Sequence, residues 1–145
     1  MSRRFALAAL FTAAALTGSP FAFADVGDSV DGVWRNPHDS LHIEVKACGT
    51  GTCGYVIWAS DKAKADAKRG GTENLVGTQL LRDFSPDKRG SWRGKVFVPD
   101  RNAIFSGSAE LVDANTLRAK GCLFANIICR SQIWTRIERN ARAAG

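Results

Sequence analysis

The chain has 145 residues, with 20 Lys+Arg against 14 Asp+Glu, a formal charge of +6 and 45% hydrophobic residues. That length fits one domain, and that apolar fraction excludes a wholly disordered chain. Past the first two dozen residues, no apolar run approaches the ~18 residues that a membrane-spanning helix needs.

Met1 to Ala24 reads as a secretory signal. Arg3 and Arg4 form a positive start, Phe5 to Leu16 an apolar core, and Ala22-Phe23-Ala24 a small-x-small cleavage pattern. No cysteine stands beside that site, which argues against lipid attachment there. The reading assigns residues 1–24 to a signal peptide, 25–140 to one folded domain and 141–145 to a frayed tail. Cleavage leaves 121 residues and removes two arginines, which lowers the formal charge by two from +6 to +4. That weak basicity is not the concentrated stripe that nucleic-acid binding requires.

All four cysteines, Cys48, Cys53, Cys122 and Cys129, lie in the exported part, where disulfides persist. Cys48 and Cys53 bracket Gly-Thr-Gly-Thr, and Cys122 and Cys129 bracket a second short connection. The spacing favours two local disulfides over the other connectivities and over a four-thiolate zinc site.

From Asp31 onward the pattern has period two, with turn residues between runs. Gly32 to Arg35 is a first short strand, and Asn36-Pro37-His38-Asp39 breaks it. Leu41, Ile43 and Val45 then alternate with His42, Glu44 and Lys46, which predicts a strand with both His42 and Glu44 on the solvent face. Cys53 to Ala59 is apolar on both faces and is predicted to be covered. Asp61 to Gly71 is rich in Lys, Ala and Asp with no apolar face, and reads as a solvated helical turn or loop. Its cations Lys62, Lys64, Lys68 and Arg69 lack the interleaved aromatics of a nucleic-acid surface. Further strands are predicted at Thr78–Phe84, Ser91–Val98, Ala103–Val112, Thr116–Leu123 and Arg130–Glu138. Turns fall at Ser85–Gly90, Pro99–Asn102 and Asp113–Asn115. About eight short antiparallel strands in sequential order make an all-β fold. Successive hairpins and the need to remove sheet edges favour an up-and-down barrel over a sandwich.

Gly32-x-Trp34 on the first strand and Trp134-x-Arg136 on the last resemble the end-closing signature of lipocalin-like (calycin) barrels. In those barrels the arginine lies over the indole face. A wider set resembles the domain-of-unknown-function family 2147, a group of exported bacterial proteins. The set comprises Gly32-Val33-Trp34, Ile43-Glu44-Val45, Cys48-Gly49, Cys53-Gly54, Val56-Ile57-Trp58, Trp92-Arg93-Gly94, Pro99-Asp100 and Gln132-Ile133-Trp134-Thr135-Arg136. The resemblance implies a lipocalin-like barrel in the periplasm or outside the cell, and it brings no established catalytic residues. The chain departs from the family's pattern at Ala65–Glu73 and at Leu123–Ile128.

The catalytic inventory is thin. His38 with Asp39 is a nominal acid–base pair, and His42 with Glu44 a nominal metal pair, but neither has further ligands at a useful spacing. No catalytic residue, metal site or cofactor is assigned. The barrel interior is the better candidate. Gly107, Ala109, Ala119 and Gly121 are small residues in line with Phe105, Leu111, Leu117 and Leu123, and small inward side chains leave room for a ligand. They also suit a packed, tapered barrel. Trp58 and Trp92 are further candidates for the lining. The function expected is an exported binder of a small apolar or amphipathic molecule. The alternative is a packed envelope module that meets a protein partner through residues 61–71 or 123–128. An enzyme is the weakest reading.

Overall fold

Alternating apolar residues produce eight strands in antiparallel contact with their neighbours, joined by short turns except between the third and fourth, where a helix intervenes. The structure, a computed structural model, describes residues 29–123 and 127–140. The signal-peptide reading, the tail at 141–145 and the centre of the 123–128 segment lie outside the described residues. The strands are β1 (Gly32–Arg35), β2 (Leu41–Cys48), β3 (Gly51–Ala59), β4 (Gln79–Pro86), β5 (Trp92–Val98), β6 (Ala103–Asp113), β7 (Thr116–Leu123) and β8 (Ile128–Ile137). A helix, α1 (Asp61–Arg69), stands between β3 and β4. The strands close into a barrel in the order β1 to β8, with β8 antiparallel to β1. Closure leaves no free sheet edge.

This up-and-down path sorts the connections between two ends. Residues 29–31 and the β2–β3, β4–β5 and β6–β7 turns lie at the N-terminal end. The β1–β2 turn, α1, the β5–β6 turn and the β7–β8 hairpin lie at the helical end. Trp34, Ile43, Val45, Val56, Phe84 and Leu117 make the centre of the buried core. Two disulfides tie hairpins. Cys48–Cys53 joins β2 to β3, and Cys122–Cys129 joins directly paired residues of β7 and β8.

Two expectations need correcting. The 61–71 segment has an apolar face after all, built from alanines. The Ser60 hydroxyl caps α1 by accepting from the Ala63 amide at 3.2 Å, and Lys68 and Arg69 sit in the last turn, where the helix dipole favours cations. Ala63 and Ala67, four residues apart, pack on the core, and Ala67 is buried. Small side chains let the helix approach the barrel end closely. At Gly70 an added Cβ would fall 2.5 Å from the Pro99 carbonyl oxygen, so the helix terminus abuts the β5–β6 turn. The helix cations are neutralised locally: Lys62 and Arg69 pair with Asp66, Lys64 with Asp61, and Lys68 with Glu73.

The second correction concerns His42, which is buried instead of solvated. The β2–β3 register shifts between His42 and Ile43, and the Trp58 ring lies against the imidazole with centroids 4.6 Å apart. The His42 Nε2 is 2.9 Å from Asp39 Oδ1. Glu44, on the same strand face, accepts hydrogen bonds from Lys46 at 3.4 Å and from Arg139.

Candidate functional site

The barrel is shut at its N-terminal end by one arginine. β1 places Trp34 inward with no exposed surface, and its Nε1 donates to the Val30 carbonyl at 2.8 Å. Arg136, paired with Trp34 across β8 and β1, sets its guanidinium carbon 4.3 Å from that ring's centroid. The same guanidinium donates to the carbonyls of Ala114 and Ser29, each at 2.7 Å, and to that of Asp31. It thereby holds the β6–β7 turn and the segment before β1 together. Gly32 makes the approach possible. Its φ is +136°, and a Cβ there would stand 2.5 Å from Arg136 Nη1.

Trp134 takes a different place from the other three signature residues. It pairs with Leu117 one inward position closer to the barrel middle, and it lines a cavity. Its indole nitrogen is buried and has no hydrogen-bond acceptor among the described residues.

The cavity has a volume of about 410 Å³. β7 supplies Leu117, Ala119, Gly121 and Leu123, and β8 supplies Ile128, Arg130, Gln132 and Trp134. These are cross-strand partners: Gly121 faces Arg130, and Ala119 faces Gln132. Phe105 and Ala109 come from β6, and Val96 and Val98 from β5. Leu41, Ile43, Leu80 and Leu81 form the opposite wall, and Arg101 of the β5–β6 turn reaches the same space. Ser108, Lys120 and Cys122 complete the lining from positions that alternate with the inward ones.

The structure thus brings together Phe105, Ala109, Ala119 and Gly121. Trp58, Trp92 and Gly107 are not in this lining, and each has a physical reason. Trp58 pairs with His42, which alternates with the cavity-lining Leu41 and Ile43 and so belongs to the other face of the sheet. Trp92 packs into the core beside Ala109, below the open space. Gly107 faces inward, but the Val96 side chain and the Phe84 ring fill the space over it. Arg101, Arg130 and Gln132 were missed. The signal was present for two of them, since counting back in twos from Trp134 reaches Gln132 and Arg130 on its face.

Among the described residues, no group of three or more His, Cys, Asp or Glu side chains is placed to hold a metal ion. No helix among them is long and apolar enough to cross a membrane.

A closed eight-stranded meander with an internal cavity and an Arg-on-Trp closure is the architecture of a lipocalin-like barrel. The solved structure of HP1028 from Helicobacter pylori, described as belonging to the lipocalin family, matches with a TM-score of 0.61 over 80% of this chain and 88% of that one, at 14% identity. The chain belongs to an uncharacterised family of proteins conserved in bacteria, the domain-of-unknown-function family 2147, whose model matches residues 32–136. No curated protein matches the sequence.

Proposed function

We propose that this protein is exported through a signal peptide at residues 1–24 and holds a small apolar or amphipathic molecule inside its barrel. One observation carries the reading: a cavity of about 410 Å³, walled mostly by aliphatic and aromatic side chains, in the size range of ~300–1,000 Å³ typical of ligand pockets. Phe105, Ala109, Ala119 and Gly121 are the contact residues of this proposal. The two disulfides agree with an oxidising compartment, and the lipocalin-family likeness of the fold agrees with ligand carriage.

Titration with the small neutral fluorescent amine 1-aminonaphthalene tests it. Saturable one-to-one binding is expected, and Ala119→Phe, which fills the cavity, removes it while thermal unfolding stays cooperative. No saturable binding by the wild type, together with an empty solvent extract of the purified protein, sinks the reading.

A second reading has its own support. Ile127 is 80% exposed and Ile128 53% exposed at the β7–β8 hairpin. Such an apolar tip fits a contact with another protein of the envelope. Ile127→Ser is expected to abolish that contact in a crosslinking experiment and to leave probe binding unchanged.

A further inference from the structure

We infer that the cavity's occupant is an amphiphilic monoanion, its acidic head at Arg101 and Arg130 and its apolar body reaching down toward Leu117 and Trp134. This rests on the ligand-binding reading above and gives it a chemical class.

The charge of the lining is one-sided. Its inward cations are Arg101 and Arg130, Lys120 borders it only from a position on the other face of β7, and it contains no carboxylate. An apolar space bordered by cations alone favours a negative partner and disfavours a positive one. The two arginines also share one end. Arg101 lies in the β5–β6 turn and Arg130 is the third residue of β8, both at the helical end of the barrel. Gly121 stands opposite Arg130, and a Cβ added there would meet nothing within 4 Å, so the space at that position is open.

On the outer surface some cations are paired with carboxylates, while others, such as Lys88 and Arg89, have no ion-pair partner among the described residues. Arg93 pairs with Asp87, Arg118 with Glu110, and Arg139 with Glu44. The side chains of Arg101 and Arg130 have no ion-pair partner among the described residues. A guanidinium left unpaired at an apolar mouth is a fork-shaped donor for a carboxylate or a similar head group. Below it the cavity turns apolar, through Ala119 to Leu117, Ile43 and Trp134. At ~30 Å³ per water-sized group, about 410 Å³ accommodates on the order of a dozen heavy atoms. A ten-carbon acid is of that size.

Three ten-carbon probes separate head-group choice from cavity binding: decanoate, decan-1-ol and decylammonium. Isothermal titration of the intact protein at low salt is expected to show decanoate binding about tenfold tighter than decanol, with the ammonium weakest. Arg130→Gln is expected to bring decanoate down to the level of decanol without changing decanol itself. Lys88→Gln, which removes the same charge from the outer β4–β5 turn, is expected to leave both unchanged. Equal binding of decanoate and decanol by the wild type overturns the anion proposal while the cavity reading stands. Equal loss of both ligands in Arg130→Gln, or equal loss of decanoate in Lys88→Gln, also overturns it. Failure of all three probes to bind, decanol included, overturns the cavity reading itself.

Discussion

Arg136 combines three kinds of contact in one side chain: a stack on Trp34, hydrogen bonds to three backbone carbonyls, and contact with the bare Cα of Gly32. Burial pulls its pKa below the ordinary arginine value, opposed by the charge of Asp31. Lysine keeps the charge but has no planar fork to stack or to bond several carbonyls at once. Arg136→Lys is therefore expected to destabilise the barrel by about 1–3 kcal/mol in urea unfolding. An unchanged midpoint would contradict the closure role. Trp134 gives the opposite expectation. Its buried indole N–H lacks an acceptor among the described residues, and an unmet buried donor costs about 1–3 kcal/mol. Replacing it with phenylalanine removes that cost along with some packing. Trp134→Phe should thus be close to neutral, within about 1 kcal/mol, where a well-bonded buried tryptophan would lose more. A loss above about 3 kcal/mol would show that the nitrogen has a partner in solution.

Among the elements, the hairpins carry the disulfides, and both loops are short, with sequence separations of 5 and 7. Short loops restrict the unfolded chain modestly, so the double variant Cys122→Ser with Cys129→Ser is expected to lose about 2 kcal/mol. Titration of the native wild type should find no reactive thiol. Strands were legible in the sequence wherever alternation was clean. Leu41, Ile43 and Val45 announced β2, and Phe105 and Leu111 announced β6. The helix was obscured because its buried face is Ala63 and Ala67, which carry little apolar signal among the lysines. His42 was misread because alternation says which side of a sheet a residue takes but not what covers that side. Here Trp58 does, through a register shift that no local pattern reveals. In the cavity, the small residues of β7 were legible by composition, whereas the filling of Gly107 by Phe84 depends on contacts between distant strands.

For the molecule as a whole, one ion pair spans the closure of the barrel. Glu44 on β2 accepts from Arg139, just past the end of β8. That hydrogen bond, aided by the charges of Arg139 and Lys46, holds the Glu44 carboxyl below its ordinary value. A carboxyl depressed on folding stabilises the folded state above its unfolded pKa, near 4.3, and the contribution fades as pH falls through the lower folded value. Glu44→Gln is therefore expected to be less stable than the wild type near neutral pH and to converge with it in acid. A constant difference between the two down to about pH 2 would contradict this linkage. Salt should shrink the neutral-pH difference as well, because Arg139 is exposed.

The meeting of β8 with β1 also sets an order of events for a chain made from its N-terminus. Asp31 and Arg136 are 105 residues apart, so Trp34 emerges early and waits for its cover until nearly the last strand is made. Hairpins β2–β3 through β6–β7 can form as they appear, but the ring cannot be completed by any of them. Such long-range closure is slow to nucleate. A nascent chain of this design therefore stays an open sheet until β8 has been made.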